Sequence, residues 1–172
     1  MRKSGWRERE NKIKIYAVID TNVIISALLS GHQDSATVKI LDYLYDRTIV
    51  PVYNDEILNE YSVVLRRPKF KFSEVTINAT LEAIKKGGLR SERISSNENL
   101  PDPKDVVFYE VALSVDDSFL VTGNIKHFPK KPFVVTPAEM LQIIHEMKSP
   151  KSGILSEPAA RYGKKSVFPA GV

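Results

Sequence analysis

Cysteine is absent from the 172-residue chain, which excludes a disulfide framework, a thiolate metal site and a cysteine nucleophile. No apolar run approaches the ~20 residues that a membrane-spanning helix needs. The first fourteen residues are polar and charged and lack the apolar stretch of a secretory signal. These absences lead us to expect a cytoplasmic protein with no membrane association. Histidine is sparse, and His32, His127 and His145 are too scattered to read as a zinc set. No internal repeat is visible. What remains is ordinary globular composition, 42% hydrophobic and 27% charged, in a length suited to one domain with its own core.

The net charge of +4 is unevenly spread. Residues 1–14 and residues 148–172 each carry +4, so the stretch 15–147 sums to −4. Basic ends on an acidic middle suit a protein that approaches polyanions while needing carboxylates for its chemistry. We divide the chain into a basic extension (1–13), a folded domain (14–147) and a tail (148–172) in which Pro, Gly, Ser and Lys rise and periodicity vanishes.

Short β-branched runs alternate with helical patterns. Lys14 to Asp20, Thr48 to Val52, Phe119 to Thr122 and Phe133 to Val135 read as buried strands. Helices are expected over Val23–Leu29, Asp34–Tyr45, from an Asn54 cap to Leu65, over Ser73–Lys86, from Asp102 through Leu113, and over Met140–Met147 behind the capping box Thr136-Pro137-Ala138-Glu139. A short strand is expected around Arg93 to Ser95. The alternation predicts an α/β fold with a mainly parallel sheet.

In such sheets ligands bind beyond the carboxyl ends of the strands. Asp20 and Asn124 both follow strands, and Asp102 and Asp105 open a helix. Glu56 and Glu60 share a face of the third helix. A site at the sheet top could therefore gather three or four carboxylates. Each residue also has a plainer reading: Asp20 and Asp102 as helix caps, Asp105 as an acid favoured by the helix dipole, Glu60 as part of a solvated face, and Thr122-Gly123-Asn124 as a turn.

Taken in order, Asp20-Thr21-Asn22, the run from Glu56 through Glu60-Tyr61 to Arg66-Arg67-Pro68-Lys69-Phe70, Asp102-Pro103-Lys104-Asp105, and Val121-Thr122-Gly123-Asn124-Ile125-Lys126-His127-Phe128 resemble the PIN-domain family, in particular the branch described as toxins of toxin–antitoxin systems. The likeness covers about residues 14–147. It implies a three-layer α/β/α fold and a ribonuclease dependent on Mg²⁺ or Mn²⁺, with Asp20, Glu60 and Asp105 as the catalytic, metal-holding acids. Asn22 would steady Asp20, with Thr122, Asn124 and Asp102 in support. Arg66, Arg67, Lys69 and Lys126 would contact RNA, with Lys71 beside them. A cognate antitoxin and a homodimer are further implications. Many members carry a fourth acid where this chain has Asn124, with His127 the next candidate, which predicts a weak second metal site. Two other acid-bearing α/β classes fit less well. A dehalogenase-like phosphatase needs an acid where Asn22 stands, and a receiver domain needs paired acids after the first strand. The remaining rival is a PIN-like fold that binds RNA or a partner without cutting.

Overall fold

The run Ile15-Tyr16-Ala17-Val18-Ile19 forms β1 (Ile15–Ile19), buried at every residue but Tyr16, as a strand covered on both faces requires. It stops at Asp20, whose carboxylate accepts the Asn22 N–H and so opens α1 (Thr21–Leu29). Ser35 caps α2 (Ala36–Tyr45). β2 (Ile49–Tyr53) is wholly buried, and Asn54 caps α3 (Asp55–Leu65) through the Ile57 N–H at 2.9 Å. Ser73 caps α4 (Glu74–Gly87), which leads into β3 (Leu89–Arg90). α5 (Val106–Leu113), β4 (Phe119–Val121) and β5 (Val134–Val135) follow. The expected capping box of Thr136 and Glu139 launches α6 (Pro137–Lys148). The computed structural model describes residues 12–149; nearly all of the basic extension and of the tail lies outside them. Among the described residues no helix is long and apolar enough to cross a membrane.

The five strands are parallel and run in the order β3-β2-β1-β4-β5. With six helices packed on the sheet, this is the expected three-layer α/β/α arrangement. β1 is central: the chain builds outward through β2 and β3, then returns to add β4 and β5 on the other side. The carboxyl ends of β1 and β4 therefore form the topological switch point, the usual ligand crevice of an open α/β sheet. Register completes the placement. Ile19 pairs with Val121, and the Asp20 N–H donates to the Val121 carbonyl at 2.9 Å, which sets Asp20 beside Thr122.

Tyr61 and Phe108, both essentially buried, meet with ring centroids 6.2 Å apart and planes at 51°. Burying side chains of this size contributes roughly 2–3 kcal/mol each, and the contact packs α3, which carries Glu60, against α5, which follows Asp105.

Two sequence expectations need correction. No strand forms at Arg93 to Ser95; the third strand is Leu89–Arg90, paired with Val52 and Tyr53. The 93–96 backbone bonds to α5 instead of a strand: Ile94 N–H donates to the Glu110 carbonyl at 3.2 Å, and Ser96 N–H to the Glu110 carboxylate at 2.8 Å. Gly88 makes the entry to β3 feasible, because a Cβ there would lie 2.4 Å from the Ile84 carbonyl oxygen and 2.5 Å from that of Pro51. The Asp102 segment opens as a 3-10 turn (Pro103–Asp105), and α5 proper begins at Val106.

Candidate active site

Asp20 is 6% exposed. Its Oδ2 accepts from the Thr122 hydroxyl at 2.7 Å and the Asn22 amide at 3.0 Å, and its Oδ1 from the Asn22 backbone at 3.5 Å. Thr122, itself buried, receives the Asn124 N–H at 2.9 Å. Gly123 N–H reaches the Asn22 side-chain oxygen at 3.3 Å. The cap and the turn anticipated from sequence are both present, and together they orient one carboxylate. Burial pushes the Asp20 carboxyl above the usual range, the Thr122 hydrogen bond draws it back, and the Asp105 charge adds to the rise.

α3 contributes Glu60, which accepts from the Thr21 hydroxyl at 2.8 Å. Glu60 is half-buried. Burial raises its carboxyl, opposed by the Thr21 hydrogen bond; Asp20 raises it further, while Lys104 and Arg67 pull it down. Glu56, one turn earlier, does not join this group. Its carboxylate takes Arg93 Nη1 at 2.9 Å, and Arg93 Nε reaches the buried Glu110 at 2.7 Å. Sequence reasoning also missed Tyr61, which it named only within the run that follows Glu60. Its hydroxyl donates to the Ile19 carbonyl at the end of β1, so α3 is tied to the strand that delivers Asp20. The Asp-Thr-Asn triplet held the one available hint for Thr21, a hydroxyl next to the strand-end acid.

Asp105 lies at the end of its 3-10 turn. Its Oδ2 meets His127 Nδ1 at 3.1 Å, and His127 Nε2 meets the Asn124 amide at 2.9 Å. The residues flagged for the missing fourth acid thus form a polar bridge from β4 to Asp105. Burial lifts the Asp105 carboxyl, the His127 hydrogen bond lowers it, and the charges of Asp102 and Glu60 raise it. Asp102 itself caps the turn through the Lys104 N–H at 2.9 Å.

Asp20, Glu60 and Asp105 therefore come from three separate elements and raise one another's carboxyls. Among the described residues, no three His, Asp or Glu side chains stand close enough together to hold a metal ion as they lie. Glu60 turns one oxygen to Thr21, and Asp105 turns one to His127. The donors nevertheless suit a hard divalent cation. Mg²⁺ keeps several waters and takes only one or two carboxylates, and clustered carboxylates with elevated pKa values favour a cation as neighbour.

Of the residues marked for RNA contact, Arg66 is committed elsewhere. It forks onto Glu74 at 2.9 and 3.0 Å and reaches Asn78 at 3.1 Å. Arg67, Lys69 and Lys126 are exposed.

Comparison with known proteins agrees with this architecture. The PIN-domain family model matches residues 16–126, more than half of the chain. A protein of Methanocaldococcus jannaschii whose function is uncharacterized is 32% identical over 120 residues, covering 68% of this chain and 76% of that protein. No solved structure matches. The chain belongs to the PIN-domain family, whose members are typically nucleases and generally use divalent metal ions.

Proposed function

We propose that this chain is a metal-dependent ribonuclease that hydrolyses phosphodiester bonds of single-stranded RNA, with Asp20, Glu60 and Asp105 as its acids. The observation that supports this reading is that three carboxylates from separate elements, led by Asp20 at the switch point of a parallel sheet, act on one another's charge, in a chain of a nuclease family. Asp20, fixed by Thr122 and Asn22, and the second oxygens of Glu60 and Asp105 would hold Mg²⁺ or Mn²⁺. When bound, the ion would supply charge neutralisation at the phosphate and a more acidic water. The chain's own share is to keep Asp20 in one orientation, hold Glu60 within reach through Thr21, and hold Asp105 through His127. A toxin role, a cognate antitoxin and a homodimer are proposed on the resemblance alone, and a cytoplasmic location on the absence of cysteine.

The test is cleavage of a labelled single-stranded RNA with Mg²⁺, with Mn²⁺ and in EDTA. Asp20→Asn, Glu60→Gln and Asp105→Asn should each lose activity, while Glu56→Gln, engaged by Arg93, should retain it. The lack of a three-ligand cluster in the described residues favours one rival, a domain that binds RNA without cutting. Binding without cleavage in every metal would establish that rival.

A further inference from the structure

The turn between α3 and α4 alternates cations with aromatic rings in a way the acid site does not explain. Its order is Arg67-Pro68-Lys69-Phe70-Lys71-Phe72. Arg67, Lys69 and Lys71 are exposed, and none makes an ion pair among the described residues. Phe70 and Phe72 are stacked, with centroids 5.6 Å apart and planes at 13°. Phe72 leans on the core, whereas Phe70 is half-buried and outside the core cluster. The Lys69 ammonium sits 4.9 Å from the centre of the Phe70 ring, a place that a planar π-face could take while the ammonium turns to a phosphate.

The turn is also firmly held. Pro68–Phe70 forms a 3-10 turn closed by the Lys71 N–H to the Pro68 carbonyl at 3.3 Å. Lys71 adopts the left-handed conformation at φ 56°, uncommon for a residue with a Cβ. Arg66 clamps the two flanking helices by bonding Glu74 and Asn78 of α4. The turn continues from α3, the helix that carries Glu60, and the Arg67 charge draws the Glu60 carboxyl down.

We propose that residues 67–72 form a docking platform for single-stranded RNA, with the Phe70 face receiving a base and Arg67, Lys69 and Lys71 receiving phosphates. The identity of the ligand rests on the ribonuclease reading above. A cluster of acids repels a polyanion, and this turn supplies cations beside it. Bases stack on aromatic side chains largely irrespective of sequence, and the cations track the backbone. Duplex RNA hides its base faces and gains nothing from Phe70.

The experiment measures binding of a fluorescent oligouridylate, and of a duplex RNA of equal length, to the full chain in EDTA across a salt series. Phe70→Leu should weaken binding to the single strand about tenfold, as expected for one lost base stack, with the salt slope unchanged. Phe70→Trp should restore the affinity. Lys69→Gln and Lys71→Gln should each reduce the slope by roughly 0.7, the value for one phosphate contact on a single strand. Phe70→Leu that matches the wild type, or that weakens single strand and duplex alike, overturns the platform. Phe70→Leu that fails to fold shifts the decision to the lysine variants, whose unchanged slopes overturn it equally. Cleavage by Asp20→Asn is measured in parallel. If that variant cuts like the wild type while Phe70→Leu loses affinity, the platform stands and the assignment of the acids falls.

Discussion

Asp20 and Asp105 act on each other electrostatically, yet they are fixed by different kinds of structure. Asp20 is 6% exposed, follows the central strand and takes three hydrogen bonds from Thr122 and Asn22. Asp105 ends a 3-10 turn, and its carboxylate bond comes from His127, whose side chain is 43% exposed. The sheet thus fixes one carboxylate before any ligand arrives, and the other hangs on a contact between two turns. The contrast teaches which carboxylate is preorganised by the sheet and which is held only through a turn. Local stability follows the number of buried contacts, so the two corners should respond unequally to mutation.

The largest expected effect is on Asp20. Asp20→Asn should lower RNA cleavage by about a thousandfold, in line with the several kcal/mol that metal-linked charge supplies to a barrier, while Asp105→Asn should lose less. Initial rates decide this, and equal losses would erase the difference between the corners. Next comes the tether. Thr122→Val keeps the shape but removes the 2.7 Å bond to Asp20 and strands the Asn124 N–H, costing about 2 kcal/mol. Urea unfolding measures it, with Thr122→Ser as the near-neutral partner; a Thr122→Val protein as stable as the wild type would show that Asp20 needs no such support. The corresponding cut at the other corner, His127→Ala, should cost under about 1 kcal/mol, as exposed ion-pair contacts do. A loss as large as that of Thr122→Val would make the Asp105 corner equally rigid.

The smallest effect is on the dependence of stability on pH. The carboxyls of Asp20, Glu60 and Asp105 lie above the ordinary values of 3.8 for Asp and 4.5 for Glu. The folded state therefore binds their protons more tightly than the unfolded chain does. The stability this contributes is fully present below the ordinary values and is lost as pH rises through the raised ones. Glu60→Gln removes one of the repelling charges and can still accept from Thr21 through its amide oxygen. Its Tm should rise by about 2 °C at neutral pH and hardly at all near the acid end of that window. An equal rise at both pH values would mean that charge is not the cause.

Much of the fold is legible in local patterns. The apolar run before Asp20, the cap at Asn54 and the box at Thr136 depend on residues within a few positions of one another, and each forms as expected. The third strand was misplaced because Leu89 and Arg90 are both exposed and carry no alternation, while Arg93 to Ser96 is drawn to Glu110, a residue that the helical pattern of α5 gives no reason to single out. Glu56 and Glu60 look equivalent on one helical face, yet Arg93 takes one and Thr21 the other. Arg66 looks as available as Arg67 until α4 packs beside it.

By itself the sequence determined the alternation of strands and helices, the acids at their ends, and a family resemblance in the order of those blocks. Only the tertiary structure decided which oxygens are held and by what. Thr122 lies 102 residues from Asp20 and His127 lies 22 from Asp105, and no local preference links such pairs. Parallel pairing of Ile19 with Val121 creates the first contact, and the approach of the turn before α5 to the turn after β4 creates the second. Hydrogen bonds of about 3 Å tolerate little error in position, so their partners are chosen by strand register and helix packing, which arise from the folded chain as a whole.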